Sequence, residues 1–337
     1  MKYKNILQWF ATKQGRQFTF TGISALAIGS SVTYFLSHTF LLSKYKEIVQ
    51  MYGLGVEVPV SNKVRKLFEE VMNEMQVPEL EKKYIKPFTV FGFDMFHAGC
   101  TATRTGAIIG IPSNFSYKTT GDIDKHNIVV NSDQVSWGSD AGKKLLDAMI
   151  LSEAAQKFAI GREIAHVQSS YIYLHAVFPV SIIGSTYVLT ANLNHRMGFL
   201  NRPFPLRFIL YTLTGLFGFG MWIFLQDFTT ISYETESDNA MISLGEEYIK
   251  GGIEFYSKLL QRNIALRNLM GQKGEKLYTV TGNDQYMLRQ KHLPLTMRKE
   301  YFELQLEELK KTKQVSSKVT DEKQSPFDVN TKTVPAV

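Results

Sequence analysis

Three long apolar stretches interrupt an otherwise mixed sequence, at residues 18–42, 171–193 and 206–231. Each holds the roughly 20 largely apolar residues that a helix needs to cross a bilayer. The second contains His175 and Pro179, so taken alone it also fits a buried soluble helix. The pattern predicts three transmembrane helices, the last two forming a hairpin, with a shallow re-entrant hairpin as the alternative. Small residues that would permit close helix packing are Ala25, Gly29, Gly215, Gly218 and Gly220.

The short segments beside these stretches are basic and contain no acidic residue. They are the N-terminal segment 1–17 and the loop 194–205, and the basic residues in or beside them are Lys2, Lys4, Lys13, Arg16, Arg196, Arg202 and Arg207. The positive-inside rule places both segments on one side of the membrane and the large polar regions on the other. A basic, acid-free N-terminus is typical of a mitochondrial targeting signal, here an uncleaved anchor. An ordinary basic flank of a bacterial or reticulum membrane protein is the alternative.

Between the apolar stretches, the pattern predicts an α+β polar domain over residues 43–170. A helix with Val64, Leu67, Phe68, Val71 and Met72 on one face follows Ser61, which suits an N-cap. Strand-like composition extends over 88–131, and two further helices follow, the first capped by Ser139 or Asp140 and the second by Ser152.

After the third stretch, residues 232–311 read as helices that pack on the polar domain, with an apolar stripe that includes Leu260 and Ile264. The sequence predicts a loop over 271–283, a final amphipathic helix after Pro294, and a disordered tail over 312–337.

Composition excludes several classes of function. The formal net charge is +7, but the basic residues are not interleaved with aromatic ones, so we expect no nucleic-acid partner. Cys100 is the only cysteine, which rules out an intrachain disulfide and paired CxxC zinc motifs. The partner that the sequence does indicate is the lipid bilayer.

One short motif, "GREIAHVQ" at 161–168, differs by one residue from the H-E-x-x-H helix of zinc peptidases. Its surroundings resemble membrane zincins of the prenyl-protease and heat-shock-protease kind. In those proteins strands precede the metal helix, a transmembrane hairpin follows, and an E-x-x-x-D helix supplies the third ligand. Here "ETESD" follows the third stretch, so Glu163, His166, Glu234 and Asp238 match that pattern. The predicted fold class is an α+β membrane protein with three transmembrane helices and a degenerate zincin-like domain.

Arg162 stands at the first ligand position of this motif. A guanidinium has no free lone pair and stays protonated, so it cannot coordinate zinc and would repel it. We therefore expect no metal, no catalytic residue and no peptidase activity. The hypothesis is that Arg162 replaces the metal by pairing with Glu234 or Glu236; an ordinary surface salt bridge is the alternative. The alternative function is an active membrane-bound zinc metallopeptidase, with Glu163 as general base and an atypical ligand set.

Several long blocks give the chain a specific resemblance to the transmembrane protein 177 family. They are "KPFTVFGF", "GAIIGIPSNF", "LSEAAQKFAIGRE", "GGIEFYSKLLQRNIALRNLMGQKGEKLYT" and "KHLPLTMR". The resemblance implies a multi-pass protein of the mitochondrial inner membrane. Its N-terminus would lie in the matrix and its large polar regions in the intermembrane space. It also implies a non-catalytic role in cytochrome c oxidase biogenesis, with subunit II and its membrane chaperone as partners and no cofactor. A quality-control scaffold of wider client range is a further alternative.

Overall fold

The structure is a computed structural model that describes residues 9–126, 128–131, 133–286 and 289–323, with side chains described as far as residue 314. Parts of the predicted N-terminal segment and tail, 1–8 and 324–337, lie outside the described residues. The helices are α1 (Lys13–Ser37), α2 (Leu42–Val49), α3 (Asn62–Glu74), α4 (Glu79–Lys82), α5 (Asp140–Ala148), α6 (Glu153–Gln168), α7 (Tyr171–Arg196), α8 (Phe204–Ser243), α9 (Glu246–Met270), α10 (Gln272–Leu277) and α11 (Leu295–Lys323). The strands are β1 (Tyr52–Gly53), β2 (Val56–Glu57), β3 (Ile85–Val90), β4 (Phe96–Gly99), β5 (Ala107–Pro112), β6 (Val129–Val130) and β7 (Asp133–Gln134).

Three of these helices, α1, α7 and α8, are long and apolar enough to cross a membrane, which confirms the prediction of three candidate spans. The third helix does not end with its apolar stretch. It continues without a break to Ser243, so Glu234 and Asp238 lie on the same helix as the third span. One continuous helix therefore connects the membrane region to the polar domain.

The second and third spans form a closely packed hairpin. The Thr190 hydroxyl donates to the Thr214 hydroxyl across the two helices, at 2.8 Å between the oxygens. A Cβ added at Gly218 would lie 2.4 Å from the Thr186 Oγ1, so a larger residue there would force Thr186 to move, whereas Gly215 and Gly220 face open space. Of the three glycines in the third span, Gly218 is therefore the one that permits the close approach.

The polar domain begins with the predicted capped helices. The side chains of Ser61, Ser139 and Ser152 each accept a hydrogen bond from a backbone N–H in the first turn of α3, α5 and α6. These bonds satisfy N–H groups that a helix start leaves unpaired, which explains where the three helices begin. The predicted apolar face of α3 is buried along its whole length.

A three-stranded sheet in the order β3-β5-β4 lies beside α6. Strand β5 pairs in parallel with β3 and antiparallel with β4. Helix α6 is buried on nearly all sides, because α3, β4, β5, α8 and α9 pack around it. Helix α9 in turn packs against α11, and Phe158, Tyr256 and Phe302 meet at the centre of this core. The C-terminal helices thus complete the domain that residues 43–170 begin.

Two predicted boundaries were wrong. The segment predicted as a loop over 271–283 contains the short helix α10, which follows Gly271 at a φ of +55°. The helix after Pro294 continues to Lys323, so residues 312–323 are helical rather than part of a disordered tail. Lys and Glu are good helix formers and sustain the helix beyond its packed face. The zincin-like character of the domain stays a prediction.

Candidate functional site

Arg162, Glu163 and His166 all project from α6 at the middle of the molecule. Residues four apart on a helix share a face, so Arg162 and His166 lie one turn apart, as the motif predicts. Glu163 is 2 % exposed, which is rare for a carboxylate and requires compensating partners.

Both carboxylate oxygens of Glu163 have a partner. The Arg162 Nη2 lies 3.1 Å from the Glu163 Oε1, and the His97 Nδ1 on β4 lies 2.5 Å from the Oε2. The His97 and His166 rings lie 4.0 Å apart between centroids. Two imidazoles, a guanidinium and a carboxylate therefore form one compact cluster between the sheet and α6.

Burial and the neighbouring charges together determine which groups of this cluster carry a proton. Burial raises the pKa of the Glu163 carboxyl, but the positive charge of Arg162 and the contact with His97 outweigh burial and hold that pKa well below its usual range. Burial lowers the pKa of the His166 imidazole, and the neighbouring His97 lowers it further. The cluster therefore holds an ionised carboxylate beside a neutral His166.

Asp238 on α8 forms the centre of a second cluster. It is 2 % exposed, and the guanidinium of Arg298 on α11 holds it with two parallel bonds, Nε to Oδ2 and Nη2 to Oδ1, both 2.8 Å. The Tyr256 hydroxyl donates to the Oδ1 at 2.7 Å, and the Arg298 guanidinium lies 4.8 Å from the centre of the Tyr256 ring. A bidentate pair with a further hydrogen bond is the geometry that makes a buried carboxylate tolerable.

Glu234 lies one turn before Asp238 on the same helix. Its Oε1 lies 2.7 Å from the His292 Nδ1, and its Oε2 lies 3.6 Å from the Arg298 Nη1. One oxygen at the third-ligand position of the motif therefore contacts a histidine, whereas the Oε2 is buried without a hydrogen-bond partner and has only the charge of Arg298 nearby.

The hypothesis that Arg162 pairs with Glu234 or Glu236 was wrong. The ion pair of Arg162 is with Glu163, Glu236 is exposed, and Arg298 is the cation nearest Glu234. Burial lowers the pKa of Arg162, but Glu163, Tyr256, Asp238 and Glu234 raise it by a larger amount. The carboxylates of the second cluster thus raise the pKa of Arg162 through their charge, without a direct contact. The part of its side chain that stays accessible, 21 %, borders a cavity of about 120 Å³ shared with Lys258 and Arg262.

These residues do not fit a catalytic zinc. Such a site needs three protein donors with free lone pairs and an open position for water. Here the oxygens of Glu163 and Asp238 are engaged by hydrogen bonds, and two guanidinium groups lie among the donors. Among the described residues, no three His, Cys, Asp or Glu side chains are arranged to hold a metal ion. The arrangement can instead join β4 to α6 through His97 and Glu163, and α8 to α11 through Asp238 and Arg298.

Sequence reasoning missed four residues of the site, namely His97, Tyr256, His292 and Arg298. Each comes from a segment far along the chain from the motif. Arg298 could have been suspected, because it follows Pro294 in the first turn of an amphipathic helix, where an arginine gains nothing from the helix dipole. His97 gave no such signal.

A further charge cluster, around a buried lysine, lies on the opposite face of α6. Lys157, with a side chain 7 % exposed, lies 2.6 Å from Glu70, 2.9 Å from Glu74 and 3.5 Å from Glu247. Burial lowers the pKa of the Lys157 amine, but these carboxylates raise it by more. One cation therefore links α3, α6 and α9.

Comparison with known proteins gives a consistent result. The family model described as transmembrane protein 177 matches residues 56–315. The chain is 34 % identical over 283 residues to transmembrane protein 177 of Rattus norvegicus, covering 82 % of this chain and 90 % of that protein. It is 34 % identical to the Homo sapiens protein, over 83 % and 88 % of the two chains, and 33 % identical to the Danio rerio protein, over 78 % and 86 %. No solved structure matches the chain significantly.

Proposed function

The chain belongs to the transmembrane protein 177 family, and on this premise we propose that it is a non-catalytic assembly factor of the mitochondrial inner membrane. In this proposal it supports the biogenesis and stability of cytochrome c oxidase subunit II and of the inner-membrane chaperone of that subunit. The family resemblance supplies these partners.

The observation that carries the non-catalytic part is the pairing of Arg298 with Asp238 beside that of Arg162 with Glu163. Each guanidinium stays protonated at physiological pH, and it donates hydrogen bonds but accepts none. A general base must be free to take a proton from water. Glu163 has both oxygens engaged and a lowered pKa, which makes it a poor base.

The membrane topology of the proposal rests on the basic segments. The first and second spans are antiparallel, since Phe20 lies beside Tyr187 and Tyr34 beside His175. Arg16 therefore lies at the same end of the spans as His195, and Arg207 lies there too because α8 begins just after α7 ends. The positive-inside rule then places this end, with the N-terminus, in the matrix. The polar domain lies in the intermembrane space, on the far side of the spans.

The test is affinity capture of the full-length chain from mitochondria solubilised in a mild detergent. The proposal predicts that subunit II and its chaperone are enriched with the tagged chain, and that both fall in abundance in cells that lack it. Enrichment of neither protein, with unchanged abundance of both, would contradict the proposed role.

Re-expression of a Glu163→Gln variant separates an assembly factor from a peptidase. The substitution keeps the shape of the side chain but removes the general base that the motif would supply. A non-catalytic factor that accumulates to wild-type level should restore chaperone abundance as the wild type does. Failure of a normally accumulating Glu163→Gln protein to restore it would favour the peptidase.

A further inference from the structure

A large cavity lies within the membrane region, between the first span and the hairpin. Its volume is about 1070 Å³, and residues of α1, α7 and α8 line it. This volume is at the upper end of the ~300–1,000 Å³ usual for ligand pockets. Helices α1 and α8 both pack against α7, and the cavity lies among the three.

The cavity extends along the direction of the spans. On α1 its lining runs from Arg16 to Ser30, and on α8 from Phe204 to Trp222. At 1.5 Å per residue these distances are about 21 Å and about 27 Å, and both exceed the half-thickness of a ~30 Å hydrocarbon core. Ile23, Leu26 and other apolar residues dominate the walls, and the Thr190 and Thr214 hydroxyls satisfy each other or backbone carbonyls. The walls of the cavity are therefore suited to contact with hydrocarbon chains.

One end of the cavity is basic. Arg16, His195 and Arg207 line it, and the sequence contains no acidic residue in 1–46 or 164–226, the segments that build the spans around it. The Arg207 Nε and the Asn194 Oδ1 are buried there without a hydrogen-bond partner. A buried polar atom without a partner is unfavourable, so a ligand that accepts a hydrogen bond from the Arg207 Nε and donates one to the Asn194 Oδ1 would be favoured.

We propose that this cavity binds an anionic phospholipid, with its phosphate on Arg16 and Arg207 and its acyl chains along the apolar walls. Arginine pairs with phosphate through two parallel N–H bonds, which the free Nε edge of Arg207 can supply. Basic pockets between transmembrane helices favour anionic headgroups. The cationic amine of a zwitterionic headgroup would meet only positive charge here. This site is separate from the charge clusters of the polar domain and does not depend on the function proposed above.

The test is native mass spectrometry of the full-length chain released from detergent micelles that contain either phosphatidylglycerol or phosphatidylcholine. The structure offers a matched control. Arg16→Gln with Arg207→Gln removes two charges at the cavity, whereas Arg196→Gln with Arg202→Gln removes two charges from the same basic end outside its lining. Thermal unfolding of each variant in lipid-free detergent shows whether it is folded.

The wild type should retain phosphatidylglycerol in preference to phosphatidylcholine. The cavity pair of substitutions should lower that preference roughly 10- to 30-fold, the loss expected for two basic groups at an anionic headgroup, while the control pair keeps most of it. Equal loss in both pairs would reduce the effect to general surface charge and overturn the proposal. Equal retention of the two lipids by the wild type, or displacement of the bound species by inorganic phosphate alone, would also overturn it.

Discussion

Arg298 and Asp238, 60 residues apart in the chain, form a bidentate ion pair in which both side chains are at most 4 % exposed. The pair joins the end of the helix that leaves the membrane to the first turn of the last helix. It stands beside the position where a zinc peptidase of similar layout would hold its third ligand. Its loss should therefore affect the junction between the membrane helices and the polar domain.

Replacing Arg298 with leucine should destabilise the protein by about 3–5 kcal/mol, because the substitution leaves the Asp238 carboxylate buried without its counter-charge. Chemical unfolding of the detergent-solubilised chain measures this loss. The double variant Arg298→Leu with Asp238→Leu should recover part of the stability, since it removes both charges. Lys299→Ala, which breaks an exposed pair with Glu303 on the same helix, is the control and should change stability by less than about 1 kcal/mol. Similar losses for Arg298→Leu and Lys299→Ala would contradict a buried structural pair.

Stability should fall as the pH is lowered below about 6.5. The pKa of His166 is lowered in the folded protein, mainly by burial, so below the ordinary histidine pKa the unfolded chain binds a proton that the folded chain does not. The free energy of unfolding is therefore highest above pH 6.5. Below that pH, the need to keep His166 neutral lowers it by up to about 1.4 kcal/mol per pH unit. Unfolding at pH 7.5 and 5.5 should show this slope in the wild type and a smaller one in His166→Gln. Glu163, whose pKa is also lowered, adds a second decline only below about pH 4.5. Identical slopes in the two proteins between pH 7.5 and 5.5 would exclude His166 as the cause.

The close contact of the second and third spans can be tested at a single glycine. Gly218→Val should destabilise the hairpin by about 1–3 kcal/mol, because its Cβ would lie 2.4 Å from the Thr186 Oγ1. Gly220→Val is the matched control, since nothing lies within 4 Å of a Cβ there. Thermal unfolding in detergent compares them. If Gly220→Val were as destabilising as Gly218→Val, the loss would come from glycine replacement itself and not from this contact.

Lys157→Met should destabilise the polar domain by about 1–3 kcal/mol, because three carboxylates would then face one another without their shared cation. Chemical unfolding at neutral pH measures the effect. Lys144→Met, which removes an exposed partner of Asp140, is the control and should have little effect. The account would be wrong if acidification to pH 5 did not lessen the defect of Lys157→Met relative to wild type, since protonation relieves the repulsion of the carboxylates.

Local features of the fold were predictable from the sequence. The three serine caps, the buried face of α3 and the three apolar helices all follow from patterns within about 25 residues, which report on local hydrogen bonding and on burial of one face. The helix α10 and the extension of α11 were missed, because glycine and a polar composition are weak signals of where a helix ends.

The site was predictable only in part. The motif placed Arg162, Glu163 and His166 correctly on one helix, and "ETESD" placed Glu234 and Asp238 on another. The partner of each charge depends on tertiary packing. Arg298 reaches Asp238 because α11 packs on α9, and His97 reaches Glu163 because β4 lies beside α6. Spacing along the chain carries no information on such contacts.

Replacing Arg162 with histidine should not create a zinc site, although it completes the H-E-x-x-H motif. The Glu234 Oε1 would still contact His292, and the charge of Arg298, 3.6 Å from the Oε2, would still oppose a dication. Elemental analysis of the purified variant should find far less than one zinc per chain. Stoichiometric zinc in Arg162→His would mean that the second cluster can release Glu234 as a ligand.

The most direct test of the non-catalytic proposal is the zinc content of the purified full-length wild-type protein, measured beside His166→Ala after both are prepared in zinc-containing buffer and desalted. The account predicts well under one zinc per chain in the wild type and no change on His166→Ala, because two guanidinium groups lie among the candidate donors. One zinc per wild-type chain that is lost in a folded His166→Ala protein would contradict it.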